Sequence, residues 1–444
     1  MNNPPRLILC LIFMMLFTLA SYADEQSFNV ATSHQMAGKY YNYPYLLQEP
    51  PLQTPAPQGY IPFHIEHYGR HGSRWHVGYK YFDQAYRILD KAHEDGKLTL
   101  LGERTYQAIK QIKEIAHRGH SGELTEIGAL QHQAIGRRMV LNFPSIFSDS
   151  AIVNARSTVV IRAILSMHNS LDAIRSLRPN LKILSEASAA DMWYLYYQDE
   201  EAKKIRNDKK RTILSGFNDR HSNKGQYLDR LIKDKHYSSD SIGDKLFNPL
   251  FYALINCQSH SNQPWLIDSI FSIEEIHEQW LQGNAEWFLE GGNSSLTNNR
   301  MPFSQANLLQ NIITSSDSAF TSSNNSINLR YGHDSALLPL IVLMEINDFG
   351  LECNNLEELS ENGWHDYLMV PMAANIQIIF YRKPQLRDKD SVIVKVLLNE
   401  EEVKLPIGHL TGPYYNWKVL RDYYLEKITP FITEPHLQKE IKHM

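Results

Sequence analysis

Cysteine is scarce in this sequence of 444 residues. Three cysteines are too few for a small scaffold held by disulfides or for a metal protein built on cysteine clusters. An excess of one charge is also absent, because 44 Lys and Arg residues stand against 49 Asp and Glu residues, for a formal net charge of −5. This balance gives no reason to expect nucleic acid as a partner. Apolar residues make up 43% of the chain, which is enough for a sizeable core and argues against disorder.

Long hydrophobic runs are missing except at the N-terminus, where residues 7–19 are almost entirely apolar. Arg6 precedes this run, and Ser21 and Ala23 place small residues at the two positions that a signal peptidase reads. We therefore predict a signal peptide over residues 1–23 and export of the mature chain to the periplasm or the medium, without stable membrane insertion. An uncleaved anchor is the alternative, although the run is short for a membrane span.

Two cysteines, Cys257 and Cys353, remain after the predicted cleavage. An oxidising compartment would allow them to pair. Their separation in space does not follow from the sequence, so free buried thiols are an equal alternative.

The order of the predicted elements indicates an α/β fold with an insertion. Short apolar segments predict strands over 60–65, 151–155, 327–331, 376–381 and 392–398. Helical spacing of apolar residues predicts helices over 80–117, 126–142, 158–177 and 335–346. The middle of the chain is more polar and helical, which is typical of a cap inserted into a sheet domain. We predict an irregular lead-in, a first core part, a mostly α-helical cap and a second core part, over 24–58, 59–182, 183–325 and 326–444.

The sharpest motif is Arg70-His71-Gly72-Ser73-Arg74, directly after a predicted strand. Arginine guanidinium groups match the geometry of phosphate oxygens and bind them in pairs. Glycine lets the backbone approach closely and turn. A neutral imidazole held among these groups can attack phosphorus and form a phosphohistidine. A solvated basic loop is the alternative interpretation of the motif.

A second motif, Arg330-Tyr331-Gly332-His333-Asp334, also follows a predicted strand and precedes a helix. His333 can donate a hydrogen bond to a phosphoryl group, and Asp334 can give a proton to a leaving oxygen. The alternative for Asp334 is an N-cap, a position where aspartate is strongly preferred. The presence of the first motif favours the catalytic interpretation.

A third candidate is Arg162, in the first turn of the helix that follows the strand at 151–155, with Ser166 one turn further on. The start of a helix is a suitable place for a further phosphate-binding cation. Arg156 is a weaker candidate for the same role, because a salt bridge at the strand end explains it as well.

Together these residues resemble the histidine acid phosphatases, branch 2 of the histidine phosphatase superfamily. A further stretch resembles the family pattern L-T-x-x-G-x-x-Q-x-x-x-x-G through Leu124, Thr125, Gly128, Gln131 and Gly136. The resemblance implies a phosphoglycerate-mutase-like core of three α/β layers with an inserted helical cap. It also implies that His71 is the nucleophile, that Asp334 is the proton donor and that the phosphoryl group is held by Arg70, Arg74, Arg162 and His333. No cofactor and no metal are implied.

The stretch from Arg330 to Leu340 most resembles bacterial relatives of the multiple inositol polyphosphate phosphatases. Those proteins usually carry His-Ala-Glu at this motif, whereas the chain has His333-Asp334-Ser335, the form found in acid phosphatases and many phytases. The resemblance thus implies hydrolysis of small phosphomonoesters, with inositol polyphosphates as the expected substrates. A broad acid phosphatase acting on sugar phosphates, a phosphate-binding protein without turnover and a phosphomutase are the alternatives.

Two other patterns have simpler explanations. His64 and His67 form an H-x-x-H, but residues three apart on a strand face opposite sides, which disfavours a shared metal. A basic cluster in the predicted cap consists of Lys203, Lys204, Arg206, Lys209, Lys210 and Arg211. This cluster can attract a polyphosphorylated substrate, although a solvated helix face is the more usual explanation for such a run of charge.

Overall fold

A computed structural model describes residues 31–222, 226–234, 240–260, 265–320, 324–384 and 389–433. The predicted signal peptide lies outside these ranges. No helix within them is both long enough and apolar enough to cross a bilayer. Cys257 and Cys353 are both free thiols, with Cys257 buried and Cys353 partly exposed.

The centre of the fold is one mixed sheet. Its strands are β1 Ile61–Arg70, β2 Ile152–Ser157, β3 Lys182–Ala187, β4 Ser326–Gly332, β5 Asn375–Arg382, β6 Ile393–Leu398, β7 Glu401–Glu402 and β8 Tyr415–Asn416. The strand order is β3-β2-β4-β1-β5-β6-β7, and β8 pairs with β6. The four strands β3, β2, β4 and β1 run parallel, while β5 pairs antiparallel with β1.

Helices surround the sheet. The α-helices in the described ranges are α1 Lys80–Glu94, α2 Leu100–Ala116, α3 Glu126–Asn142, α4 Ile161–Leu177, α5 Met192–Leu195, α6 Glu200–Arg220, α7 Leu228–Leu231, α8 Asp240–Ile255, α9 Ile267–Ile270, α10 Ile273–Gly291, α11 Ala306–Ala319, α12 Asp334–Leu343, α13 Asp366–Met369 and α14 Trp417–Ile428. Short 3₁₀ segments connect several of them, including Gln35–Tyr40 near the start of the described chain.

The side chains of β5 alternate between two apolar cores, one on each face of the sheet. Ile378 and Phe380 pack on one face of the sheet, in a core shared with α11, α12 and α14. Ile379 and Tyr381 pack on the other face, with residues of α3 and α4. Successive side chains of a strand point to opposite faces, so each face buries its own apolar row beneath helices. The predicted α/β fold, with a sheet between two helical layers, is confirmed.

Several elements differ in extent from their predictions. β1 continues to Arg70, five residues past the predicted end, and its second half is buried although it carries polar side chains. Glu66 in this half pairs with Arg330 and accepts from Asn328 at 2.7 Å. β3 was not predicted, since it is a largely exposed edge strand without an apolar row. It begins at Lys182, where the first core part was expected to end, and it pairs with β2 in the same sheet. The predicted division between core and cap stays a prediction.

The register of the parallel strands brings three chain segments to one edge of the sheet. Arg70 at the end of β1 lies opposite Gly332 at the end of β4, and Ser157 at the end of β2 lies opposite Tyr331. The residues that follow these strands are therefore neighbours in space. In open α/β sheets, the carboxyl ends of parallel strands are where binding sites form.

Candidate active site

His71 is the first residue after β1, and its side chain is buried. Its Nδ1 lies 2.9 Å from the Gly72 carbonyl oxygen. A carbonyl only accepts hydrogen bonds, so Nδ1 carries the proton and Nε2 of the neutral ring keeps its lone pair. Burial, followed by the positive charges of Arg70 and Arg74, lowers the pKa of His71 well below its usual value. The imidazole is therefore neutral at ordinary pH.

Close packing against α3 holds the loop after β1. A Cβ atom on Gly128 would lie 2.2 Å from the Ser73 carbonyl oxygen, and one on Gly72 would lie 2.4 Å from the Gly128 carbonyl oxygen. Gln131 accepts the Ser73 backbone N–H at 2.9 Å. Thr125 caps α3 and donates its hydroxyl to the same Ser73 carbonyl. These contacts explain why the motif in α3 requires glycine and glutamine at those positions.

Three arginines lie around His71, and their charges act on its ring: Arg70, Arg74 and Arg162. Arg70 Nη1 donates to the carbonyl oxygens of Lys39 and Val370, and Arg74 Nη1 donates to that of Trp75. The Nε atom of each arginine is buried and has no hydrogen-bond partner within the described residues. Buried charged donors are normally paired. This arrangement suits an anion with several acceptor oxygens.

His333 completes the same cluster from the end of β4. Its ring centroid lies 5.5 Å from that of His71, and its Nε2 lies 3.1 Å from the Thr158 hydroxyl oxygen. Its backbone N–H donates to the Tyr68 hydroxyl at 3.3 Å. Burial, with the charge of Arg162 as the next cause, lowers the pKa of His333 to about 4. This second imidazole is thus also neutral at ordinary pH.

Asp334 is the first residue of α12, and one of its oxygens accepts the Ser335 backbone N–H at 2.9 Å. Its other oxygen, Oδ2, lies 2.9 Å from Arg70 Nη2. Burial acts to raise the pKa of Asp334, but the charges of Arg70 and Lys39 outweigh burial and hold that pKa below its usual range. The N-cap of α12 is His333 and has no side-chain capping hydrogen bond, so the N-cap interpretation of Asp334 is wrong. The carboxyl group contacts Arg70 instead, and its role as a proton donor stays a prediction.

Three residues at this site were not predicted from the sequence. Lys39 belongs to the segment expected to be an irregular lead-in, and its carbonyl oxygen accepts from Arg70 at 2.7 Å. Thr158 follows β2 and contacts His333, so its place after a parallel strand was a usable indication. Tyr196 directly follows α5, where no sequence pattern indicated a site residue, and its ring centroid lies 5.0 Å from that of His333.

The weaker candidates have other partners. Arg156 lies 3.4 Å from Glu186 and 3.5 Å from Asp191, as the salt-bridge interpretation predicts. His64 pairs with Glu66 at 2.8 Å, whereas His67 contacts the Tyr331 ring. No group of three or more His, Cys, Asp or Glu side chains suited to a metal ion occurs within the residues that the structure describes.

The basic cluster is partly neutralised by acidic neighbours. Arg206 lies 2.7 Å from Glu290, and Lys210 lies 2.7 Å from Glu286 and 2.6 Å from Glu290. Arg211 is exposed and lines a cavity of about 740 Å³ together with Tyr196 and Ser335, the residue after Asp334. The cluster therefore lies beside the site, although two of its six cations pair with carboxylates of α10.

Comparison with solved structures shows the same fold at low sequence identity. The apo form of a multiple inositol polyphosphate phosphatase from Bifidobacterium longum gives a TM-score of 0.72 at 17% identity, covering 89% of this chain and 97% of that one. Its complex with inositol hexasulfate gives a TM-score of 0.70 at 17% identity, covering 88% and 97%. A phytase from D. castellii gives a TM-score of 0.62 at 14% identity, covering 92% and 89%.

No curated protein matches the sequence. The model of the histidine phosphatase superfamily, branch 2, matches residues 69–399, which is most of the chain and includes both histidine motifs. The family predicted from the sequence motifs is therefore confirmed: the chain belongs to branch 2 of the histidine phosphatase superfamily.

Proposed function

We propose that the protein is a phosphomonoesterase that works through a phosphohistidine on His71. The observation that carries the proposal is the protonation state of His71 and the positive charge around it. Its ring is neutral, with the lone pair on Nε2, and it lies among three guanidinium groups whose buried Nε atoms have no partner within the described residues. A neutral nucleophile next to fixed positive charge is what phosphoryl transfer requires, since charge on the phosphoryl oxygens is the main barrier.

The chemistry proceeds in two displacements. Arg70, Arg74, Arg162 and His333 bind the phosphoryl oxygens. His71 Nε2 then attacks phosphorus, so that a P–N bond forms while the bond to the leaving oxygen breaks. Asp334 supplies the proton that the leaving alkoxide takes. Water next attacks the phosphohistidine, the P–N bond breaks, and inorganic phosphate leaves with Asp334 reprotonated by the proton that the water gives up.

The proton on Asp334 has to arrive with the substrate or from acidic solvent. In the structure the charges of Arg70 and Lys39 keep the carboxyl group ionised. A bound phosphate shares Arg70 and adds negative charge beside the carboxylate, and both effects raise the pKa of Asp334. A monoanionic ester, which is the main form at mildly acidic pH, can also bring the proton itself. We therefore expect the activity to be highest at acidic pH.

We propose inositol polyphosphates as the substrates. The support is the fold shared with a multiple inositol polyphosphate phosphatase that was crystallised with inositol hexasulfate, and with a phytase. The His333-Asp334-Ser335 sequence equally suits a broad acid phosphatase acting on sugar phosphates. The apolar run at 7–19 and the small residues Ser21 and Ala23 support export by a cleaved signal peptide as part of this proposal.

A substrate panel tests the proposed function. Release of inorganic phosphate is measured from inositol hexakisphosphate, p-nitrophenyl phosphate, sugar phosphates and a phosphopeptide, with the His71→Ala variant as control. We expect release by the wild type, fastest from the inositol ester, and none by His71→Ala. Rearranged esters without free phosphate would indicate a mutase, and tight binding without products would indicate a phosphate-binding protein.

A further inference from the structure

A small cavity lies beside the phosphoryl site, between the 3₁₀ segment Gln35–Tyr40 and α10. Its volume is about 160 Å³, and its lining includes Lys39, Tyr40, Tyr252, Glu286, Trp287 and Asp366. The cavity shares a wall with the catalytic cluster, because Arg70 donates to the Lys39 carbonyl oxygen at 2.7 Å. The Arg74 guanidinium also lies 5.8 Å from the centroid of the Tyr40 ring.

The Lys39 ammonium group is the cation of this cavity. Its Nζ lies 4.2 Å from the centroid of the Trp287 ring and 5.4 Å from that of Tyr40. A cation over aromatic faces is positioned by the rings while it keeps its capacity to donate hydrogen bonds. Lys39 Nζ has no salt bridge to a carboxylate among the residues that the structure describes. It differs in this respect from Arg206 and Lys210 of the basic cluster.

The two carboxylates of the cavity are already engaged. Glu286 lies 2.7 Å from Lys210 Nζ. Asp366 accepts the Lys39 backbone N–H at 2.9 Å and the Trp280 indole N–H at 3.0 Å. The segment is fixed tightly at this point, since a Cβ on Gly38, whose φ is +59°, would lie 2.5 Å from an Asp366 oxygen. The backbone of Lys39 is thus held in place while its ammonium group is left for an anion.

The backbone of Lys39 contacts Arg70, and Arg70 Nη2 lies 2.9 Å from Asp334 Oδ2, so Lys39 adjoins the pair that includes the proposed proton donor to the leaving group. Three arginines already surround the nucleophile, and Asp334 is the group that meets the leaving oxygen in the proposed mechanism. The charge of Lys39 acts on Asp334, where it is second only to Arg70 among the charges that lower the carboxyl pKa. An anion at Lys39 would therefore belong to the leaving group and not to the phosphoryl group under attack.

We propose that Lys39, positioned over Trp287, binds a second phosphate carried by the leaving group and so selects substrates that bear more than one phosphate. This inference deepens the proposed function and depends on the same site. The partner is a polyphosphorylated polyol, recognised through charge-assisted hydrogen bonds from one ammonium group. The residue determines specificity and does not touch the phosphorus that reacts.

Binding to two probes tests the inference without turnover. Inositol hexasulfate offers several anionic groups, and inorganic phosphate offers one. Their dissociation constants are measured by calorimetry for the wild type, Lys39→Met and Lys39→Arg. Lys418→Met is the matched control, because Lys418 is an exposed lysine that pairs with Asp422 at 3.2 Å. We expect Lys39→Met to weaken hexasulfate binding by about tenfold and phosphate binding by less than about threefold, as for loss of one charged contact.

Lys39→Arg should retain most of the hexasulfate affinity, and Lys418→Met should change neither constant. Trp287→Leu provides an independent variant, because it removes the ring under the ammonium group and should cause the same selective loss. Equal weakening of both probes by Lys39→Met, or no weakening of either, would overturn the inference. Selective loss in a protein that forms no phosphohistidine would leave the subsite standing and refute the proposed catalysis instead.

Discussion

Arg70 Nη2 and Asp334 Oδ2 lie 2.9 Å apart, which joins the Arg70–Arg74 motif at the end of β1 to the carboxylate at the start of α12. The pair makes the protonation of Asp334 depend on what occupies Arg70. Without an anion, the arginine stabilises the carboxylate, and with a phosphate bound, the arginine is shared. In the proposed mechanism, the same two side chains couple substrate binding to the availability of a proton for the leaving group.

Replacing Asp334 by Asn separates proton donation from a purely structural role. Asparagine keeps the size of aspartate and an oxygen that can accept the Ser335 backbone N–H, but it has no acidic proton. An alkoxide leaving group needs that proton, whereas nitrophenolate leaves readily without it. We expect a fall of about two orders of magnitude more on an alkyl phosphate than on p-nitrophenyl phosphate, the usual scale of general acid catalysis. The measurement is the single-turnover phosphorylation rate, and equal losses on both esters would show that Asp334 is structural.

Gly128→Ala tests the packing that shapes the nucleophile loop. The added Cβ would lie 2.2 Å from the Ser73 carbonyl oxygen, so the loop after β1 must move. We expect a loss of about 2 kcal/mol in the free energy of unfolding, as for other overpacked sites, together with a large fall in kcat. Gly216→Ala is the matched control in α6, where the nearest atom is the end of the Arg220 side chain at 3.6 Å. That change should stabilise the protein by about 0.5–1 kcal/mol and leave kcat unchanged, and similar effects of both variants would contradict the packing argument.

Arg330 belongs to the second histidine motif, but its side chain pairs with buried groups beside the sheet and not with the other site residues. Its guanidinium pairs with the buried Glu66 carboxylate, and it donates to Asn311 at 2.9 Å and to Ser315 at 2.8 Å. Arg330→Met leaves the Glu66 charge buried without its main partner. We expect a loss of roughly 3–5 kcal/mol in denaturant unfolding, the usual cost of breaking such a pair.

The double variant Glu66→Gln/Arg330→Met serves as the control for this pair. It removes both charges, and it should recover part of the stability that Arg330→Met loses. An Arg330→Met protein that is as stable as the wild type would contradict the assignment of Arg330 to structure.

Buried histidines make the stability depend on pH. Burial lowers the pKa of His132 to about 3, from its ordinary value of 6.5. Between these two values the unfolded chain binds a proton that the folded protein does not, so stability falls as pH decreases from 6.5 towards 3. His67 and His76 contribute in the same direction, because burial lowers their pKa values to about 3 as well.

His132→Phe removes one of these groups and keeps a ring beside Tyr331. Between pH 7 and pH 4.5, this variant should lose about 2 kcal/mol less stability than the wild type. Urea unfolding at the two pH values measures the difference. Parallel losses in both proteins would mean that His132 is not neutral in the folded state.

The strands that carry the two histidine motifs were predictable because each is an apolar run followed by chemically distinctive residues. His71, His333 and the arginines could therefore be predicted as site residues from the sequence. The register of β1, β2 and β4 explains why they meet. The position of Lys39 beside Arg70 was not predictable from the sequence. The segment Gln35–Tyr40 has no periodic pattern, and it is held by bonds to residues far away in the sequence, such as Asp366. β3 was missed for a related reason, since an exposed edge strand buries no apolar row.

Trapping the phosphoenzyme tests the central claim most directly. The wild type is mixed with p-nitrophenyl phosphate, quenched with alkali within milliseconds and digested, and the peptides are analysed by mass spectrometry under conditions that preserve phosphohistidine. The account predicts a phosphoryl group on His71 in the wild type and none in His71→Ala, whose turnover should fall below about a hundredth of the wild-type value. A phosphoryl group on another residue, or a His71→Ala protein that keeps substantial activity, would contradict the account.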